Sequence, residues 1–187
     1  MKGKEWKMKK NASKKIVLCG AFTAFTAICA LIAIPFGPVP INLAHLAIFI
    51  SAWILGAEWA AVSQLIYIVL GVIGLPVFSG FSSGLGHILG PTGGFILAYP
   101  LVAYIAGKIF KSKKIKGTKS ILLGLLIGWL VEYILGTMYY CFVTGVTVWA
   151  ALLVCVVPFI VGDICKSVSL FFVMRKIKIE MILTKQL

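Results

Sequence analysis

The sequence predicts an all-α integral membrane protein with six transmembrane helices and both termini on the cytoplasmic side. Three observations carry this. Hydrophobic residues make up 61% of the 187 positions and the mean hydropathy is +1.07, well above the roughly half apolar content of a soluble domain. The apolar residues form runs of near-spanning length, separated by proline, glycine and lysine breaks. Finally, the 18 Lys and Arg gather in the N-terminal tail, one middle loop and the C-terminal tail. That distribution is how cytoplasmic loops are marked, so the net charge of +13 speaks of topology and anionic lipid rather than nucleic acid. Residues 1–15 read as a basic cytoplasmic tail and 16–187 as the membrane domain.

Lys2, Lys4, Lys7, Lys9, Lys10, Lys14 and Lys15 face a single acid, Glu5, in the tail. Span one runs from Ile16 to Ile34 and is rich in small residues. Gly20 and Ala24, and likewise Thr23 and Ala27, are four apart, which puts each pair on one face where another helix can approach closely. That face is a candidate for docking a partner protein, with packing inside the chain as the other reading. Three prolines between Pro35 and Pro40 then prevent helix continuation and make a rigid external turn. Two shorter apolar segments follow, Ile41–Leu55 and Trp59–Ile73, with an inner turn at Glu58, because one helix over both would be too long for a bilayer. His45 lies on the first of them, and a lone imidazole on an apolar segment is read as internally bonded; no metal site is expected.

The stretch Leu75–Gly94, LPVFSGFSSGLGHILGPTGG, cannot be an ordinary spanning helix, since glycine and proline weaken helices and an irregular backbone in lipid leaves amides unpaired. Irregular backbone is tolerated where it lines a cavity, and its amides and hydroxyls suit a polar solute there. A flexible external loop is the other reading. Span four, Phe95–Phe110, leads into Lys108, Lys111, Lys113, Lys114, Lys116 and Lys119, the strongest cytoplasmic marker. Span five, Ile121–Phe142, carries Glu132, an acid that must be paired, wetted or turned inward. Val146–Val157 is too short to cross and reads as an interfacial or re-entrant helix, after which Pro158 opens span six, ending near Val173 before Arg175 and Lys176. The five cysteines sit in apolar surroundings without a C-x-x-C pair and read as packing residues.

Asp163 and Lys166, three apart in PFIVGDICKS, share a helix face. Two opposite charges in hydrocarbon mark either a binding site or a self-neutralising pair. Together they suit a ligand carrying both amide-like N–H groups and a carboxylate. No catalytic constellation, P-loop or cofactor motif accompanies them, so energy for uphill movement of a solute must come from another subunit or an ion gradient.

IPFGPVPINL, the segment from Ser63 to Gly107 and PFIVGDICK together resemble BioY, the substrate-binding S component of energy-coupling-factor (ECF) biotin transporters, across nearly the whole membrane domain. The resemblance implies a six-helix bundle that takes biotin from the outer side of the bacterial cytoplasmic membrane, capped by the loop between spans three and four. It also implies docking through span one onto a transmembrane coupling subunit attached to two cytoplasmic ATPase subunits, with biotin as cargo and no cofactor. Position by position it points to Ser82, Ser83 and Gly84 in the loop and to Asp163 and Lys166. Asp163 with a loop hydroxyl or amide is expected at the ureido ring, Lys166 with loop N–H groups at the valerate carboxylate, or the reverse. Phe36, Phe78 and Tyr99 are expected as walls for the thiophane ring. The chain departs from the family pattern at Asn42-Leu43-Ala44, where Thr-Leu-Gln is common, and at Ser82-Ser83 and His87, where glycine, alanine or asparagine are common. An S component for riboflavin or thiamine, a membrane enzyme acting on lipid through Glu132, Asp163 and His87, and a scaffold remain as alternatives.

Overall fold

The computed structural model describes the backbone of residues 2–35, 39–115 and 117–183 and the side chains of 13–35, 39–115 and 117–176. Helix α1 spans Lys2–Leu31. Nothing between Lys4 and Pro35 has the helix-breaking character of glycine or proline except Gly20, so the helix passes through Lys15 without a break. A two-residue hairpin, β1 (Ala33–Ile34) and β2 (Ile41–Asn42), closes the proline turn with Ala33 opposite Asn42 and Ile34 opposite Ile41. Helices α2 (Ala44–Leu55) and α3 (Ala57–Val72) follow, then a short 3-10 turn at Ser79–Phe81 and α4 (Leu85–Leu89). Helices α5 (Gly93–Phe110), α6 (Thr118–Thr144), α7 (Val148–Cys155) and α8 (Ile160–Leu183) complete the chain.

Three helical segments, Ser13–Leu31, Gly93–Phe110 and Thr118–Thr144, are long and apolar enough to cross a membrane. Helices α7 and α8 make a fourth if taken together, bent by 52° at their break. Their outward faces carry exposed apolar side chains, Ile28 on α1, Leu101 on α5, Leu126 and Met138 on α6 and Ile164 and Phe172 on α8, as a multi-pass membrane protein requires. Helices α2 and α3 are apolar but shorter, about 18 and 24 Å by helical rise. The inner turn between them is the single residue Gly56 at φ +82°, not Glu58 as the sequence suggested; only glycine adopts that angle freely, so the reversal needs no more chain.

Helix α5 is central, packed chiefly against α6 and α3 and also against α2. Its seam with α6 is closed by glycines that admit rings from the opposite helix: a Cβ on Gly94 would lie 2.2 Å from Tyr139, and one on Gly136 2.3 Å from Phe95. Helix α8 meets α2 and α6 over a smaller area, leaving an apolar groove of about 640 Å³ between α6 and α8.

The small residues of α1 do not form one face. Thr23 is turned inward and buried, its hydroxyl 3.0 Å from the Ser63 carbonyl and 3.2 Å from the Ser63 hydroxyl on α3, while Ala27 packs against the core. Gly20 and Ala24 lie on the exposed side, and a Cβ at Gly20 would meet nothing within 4 Å. A threonine in the proposed docking row is thus corrected to an internal contact: a buried hydroxyl needs a hydrogen-bond partner, and α3 supplies it.

Candidate binding site

The glycine-rich stretch is built rather than loose. Gly80 and Gly84 take φ of +71° and +88° with open space around them, so their glycines serve the backbone angle. Several bonds tie the stretch to its neighbours: Tyr67 donates to the Val77 carbonyl (3.1 Å), Leu75 N–H to the Leu70 carbonyl (3.1 Å), Gly84 N–H to the Gly71 carbonyl (2.7 Å), Asn42 to Ser79 (2.8 Å) and Tyr139 to the Ile88 carbonyl (3.1 Å). Phe78 is fully buried beneath it, stacked on His87 at 5.2 Å and edge-on to Tyr67. Burial lowers the pKa of His87 below its ordinary value. Ser82 donates to the Ser79 carbonyl at 2.7 Å and Ser83 is exposed.

Deeper in the bundle, a cavity of about 40 Å³ collects most of the buried charge. Helix α8 contributes Asp163 and Lys166, α6 contributes Trp129, Glu132 and Tyr133, α2 contributes His45 and α5 contributes Tyr99. The three-residue spacing read from the sequence does bring the α8 pair together: the Lys166 ammonium lies 2.9 Å from Asp163 Oδ1, and both are over nine-tenths buried. Tyr133 donates to the other Asp163 oxygen. Across the cavity His45 Nε2 lies 2.5 Å from Glu132 Oε1. His45 is thus internally bonded, as a lone imidazole was expected to be. Glu132 faces inward, its other oxygen without a partner among the described residues.

Trp129 joins the two pairs. The imidazole of His45 lies 4.5 Å from its ring, the Lys166 ammonium 5.7 Å from it and Tyr133 stacks at 5.9 Å. Tyr99 meets His45 edge-on at 5.5 Å, so the walls are aromatic. Such a site offers acceptors, donors and flat apolar surface at once, the mixture that orients a small polar ring. It is covered by a second apolar cluster in which Val39 from the proline turn, Phe95, Cys155 and Phe159 meet. About 40 Å³ is far below the roughly 300 Å³ and more of ordinary ligand pockets, so a vitamin-sized ligand must part this cover to enter.

Of the residues expected from the sequence, the structure brings Asp163, Lys166 and Tyr99 into one cavity. Ser82, Ser83, Gly84 and Phe78 are not among its lining residues, and Phe36 lies outside the described residues. Asn42 connects the two regions, since it lines the cavity and also holds Ser79. His45, Trp129 and Tyr133 were not expected as site residues, and Glu132, expected to be paired, wetted or turned inward, was given an active role only in the lipid-enzyme alternative. The i, i+3 and i, i+4 spacings of Trp129 to Glu132 and Tyr133 put all three on one face and were a usable signal. His45 had none, because its partner stands 87 residues away.

A sequence model of the BioY family matches residues 3–182. A probable biotin transporter BioY from Pyrococcus horikoshii is 37% identical over 166 residues, covering 89% of this chain and 97% of that protein. The biotin transporter BioY of Thermotoga maritima is 34% identical over 160 residues, covering 86% and 83%. The crystal structure of the S-component for biotin from an ECF-type ABC transporter matches with a TM-score of 0.79 at 27% identity, covering 90% of this chain and 93% of that one.

Proposed function

The chain belongs to the BioY family, and from this premise we infer how its buried cavity serves biotin uptake. The protein is the biotin-specific S component of an ECF-type transporter, a carrier and not an enzyme. Riboflavin, thiamine or lipid chemistry is not favoured. The observation that carries the reading is the buried Asp163–Lys166 pair in an aromatic cavity.

Lys166 and Asp163 are 2.9 Å apart, too close to serve opposite ends of an extended ligand. Both therefore meet the ureido ring, Lys166 donating to its carbonyl oxygen and Asp163 accepting from an N–H. The valerate chain runs outward along Tyr99 toward the loop, where N–H groups and hydroxyls of Ser82, Ser83 and Gly84 meet its carboxylate. Phe36 and Phe78 are second-line walls, reached as the chain passes the loop. Closure of Leu75–Gly94 over the ligand governs escape.

In the membrane, α1, α2, α3, α5, α6 and the α7–α8 pair make six spans, α2 and α3 being short ones. Residues 1–15 form the basic N-terminal tail, residues 16–187 the membrane domain, and both termini face the cytoplasm of a bacterial cell. Gly20 and Ala24, exposed on α1, are the face that docks the transmembrane coupling subunit, which carries two cytoplasmic ATPase subunits. The whole bundle then reorients against that subunit, and no cofactor takes part.

Equilibrium titration of the purified, detergent-solubilised protein with biotin, riboflavin and thiamine tests the reading, using the intrinsic tryptophan emission to which Trp129 in the cavity wall contributes. One-to-one binding of biotin alone is expected. A properly folded, ligand-stripped protein that ignores biotin refutes it.

A further inference from the structure

Two carboxylates line the cavity, and they are not in the same state of hydrogen bonding. Asp163 has both oxygens engaged, Oδ1 by the Lys166 ammonium and Oδ2 by the Tyr133 hydroxyl. Glu132 has one oxygen on His45, while Oε2 is fully shielded and without a partner among the described residues. His45 Nδ1, on the other side of the same pair, is also without one. Glu132 is 2% exposed, so water outside the bundle does not reach it. A buried acceptor without a donor is unfavourable, and the donor that arrives there gains the whole of what was missing. A donor arriving at Asp163 adds to a group already bonded. The same incoming N–H is therefore worth more at Glu132.

We propose that Glu132 is the principal acceptor for a ureido N–H of biotin, with His45 as the residue that holds its carboxylate in place. The proposal rests on the reading of biotin as ligand and names the group that selects it. The ureido ring has two N–H donors flanking one carbonyl. Glu132 Oε2 takes one N–H, Asp163 the other, and the Lys166 ammonium donates to the carbonyl oxygen. The ring lies against Trp129, which His45 and Lys166 already flank. Two carboxylates set to receive two N–H groups discriminate against rings that present acceptors instead, because each would leave a buried carboxylate oxygen facing a lone pair. Sequence gave no reason to join these residues, since Glu132 and His45 come from α6 and α2.

The test compares biotin with biotin methyl ester, which keeps the ureido ring and loses the carboxylate charge. Wild-type affinity for biotin is measured first, and its absence overturns the functional reading itself, separately from this proposal. With that in hand, Glu132→Gln is expected to weaken biotin and its ester equally, by about 10- to 100-fold, the range for a hydrogen bond to a charged group. Affinity within twofold of wild type, or a loss confined to the free acid, overturns the proposal. Should Glu132→Gln not fold, Glu132→Asp keeps the charge and retracts the oxygen by one methylene, with the same expected pattern. A measurement on the unmodified protein needs no variant. Asp163 is the sole aspartate of the chain and Glu132 one of four glutamates, so infrared difference spectra with 13C-labelled Glu or 13C-labelled Asp separate the two carboxylates. Biotin should move a glutamate carboxylate band more than the aspartate band; movement of the aspartate band alone overturns the assignment.

Discussion

Removing one charge of the Asp163–Lys166 pair should cost far more than removing both. The two residues are 7% and 9% exposed and their charged groups 2.9 Å apart, so each is the other's main compensation. Asp163→Asn leaves the Lys166 ammonium buried without an opposite charge, a change on the order of 3–5 kcal/mol. Lys166→Met is milder, because Asp163 keeps the Tyr133 hydroxyl; we expect about 2–3 kcal/mol, near the cost of losing a hydrogen bond to a charged group. The double variant Asp163→Asn with Lys166→Met leaves no unpaired charge, and replacing a buried pair by neutral groups of similar size is often close to neutral. For a chain of this length about 1 kcal/mol corresponds to roughly 2–4 °C, so Asp163→Asn should lower the thermal midpoint by on the order of 10 °C while the double variant stays within a few degrees of wild type. The assay is thermal unfolding of the detergent-solubilised protein followed by tryptophan emission, with biotin binding measured on the same samples. Additive losses in the double variant would refute the pairing argument. Recovery of stability without recovery of biotin binding is the expected outcome, and a double variant that binds biotin normally removes both residues from the site.

Two further outcomes concern the glycine-rich stretch. Gly71→Ala puts a Cβ 2.0 Å from the buried Phe78 ring, so the ring must move and the loop above it with it; a loss of about 1–3 kcal/mol is expected, against none for Gly86→Ala, whose Cβ meets nothing within 4 Å. Thermal midpoints of the two variants check this, and equal values sink it. Burial lowers the pKa of His87 from its ordinary 6.5, so the packed loop favours the neutral ring. Above the ordinary value the ring is neutral whether packed or exposed and the packed arrangement carries no penalty; as pH falls from there toward the lowered value the exposed ring takes up a proton first and the preference for the packed arrangement weakens. Biotin should therefore leave faster below about pH 6.5, with a flat profile in His87→Gln, when off-rates are followed by stopped-flow emission; a pH-dependent off-rate in the variant contradicts the assignment.

The fold was legible where lipid imposes one answer. Apolar runs bounded by Pro35, Gly56 and Lys111 correspond to helix ends because a helix in hydrocarbon stops only where its backbone is met by water or by a turn. The break before α8 was also legible, since Val146–Val157 is too short to cross; Pro158, expected in the first turn of span six, lies instead in the turn before α8 begins at Ile160. Asp163 and Lys166 could be paired from spacing alone, as local geometry fixes i, i+3 neighbours. What spacing cannot give is which face of α1 turns inward. Gly20, Thr23, Ala24 and Ala27 looked alike as small residues, and only the Ser63 hydroxyl on another helix distinguishes Thr23 from Gly20. The same holds for His45 and Glu132, whose pairing depends on the crossing of α2 and α6.

The cavity and the glycine-rich stretch are separate regions joined through Asn42, which lines the one and bonds to Ser79 in the other. The charges sit under an apolar cover of Val39, Phe95, Cys155 and Phe159, while the stretch that carries Ser82, Ser83 and Gly84 is also anchored by Tyr67, Tyr139 and the backbone of α3. The direct bond between the two regions is Asn42 to Ser79, and Asn42 belongs to β2, the strand that returns the chain from the proline turn. A ligand that parts Val39 from Phe159 must therefore move the hairpin, and moving the hairpin pulls on Ser79. On the proposed function, in which the stretch caps the ligand, this bond is the path by which entry into the cavity would be felt by the cap.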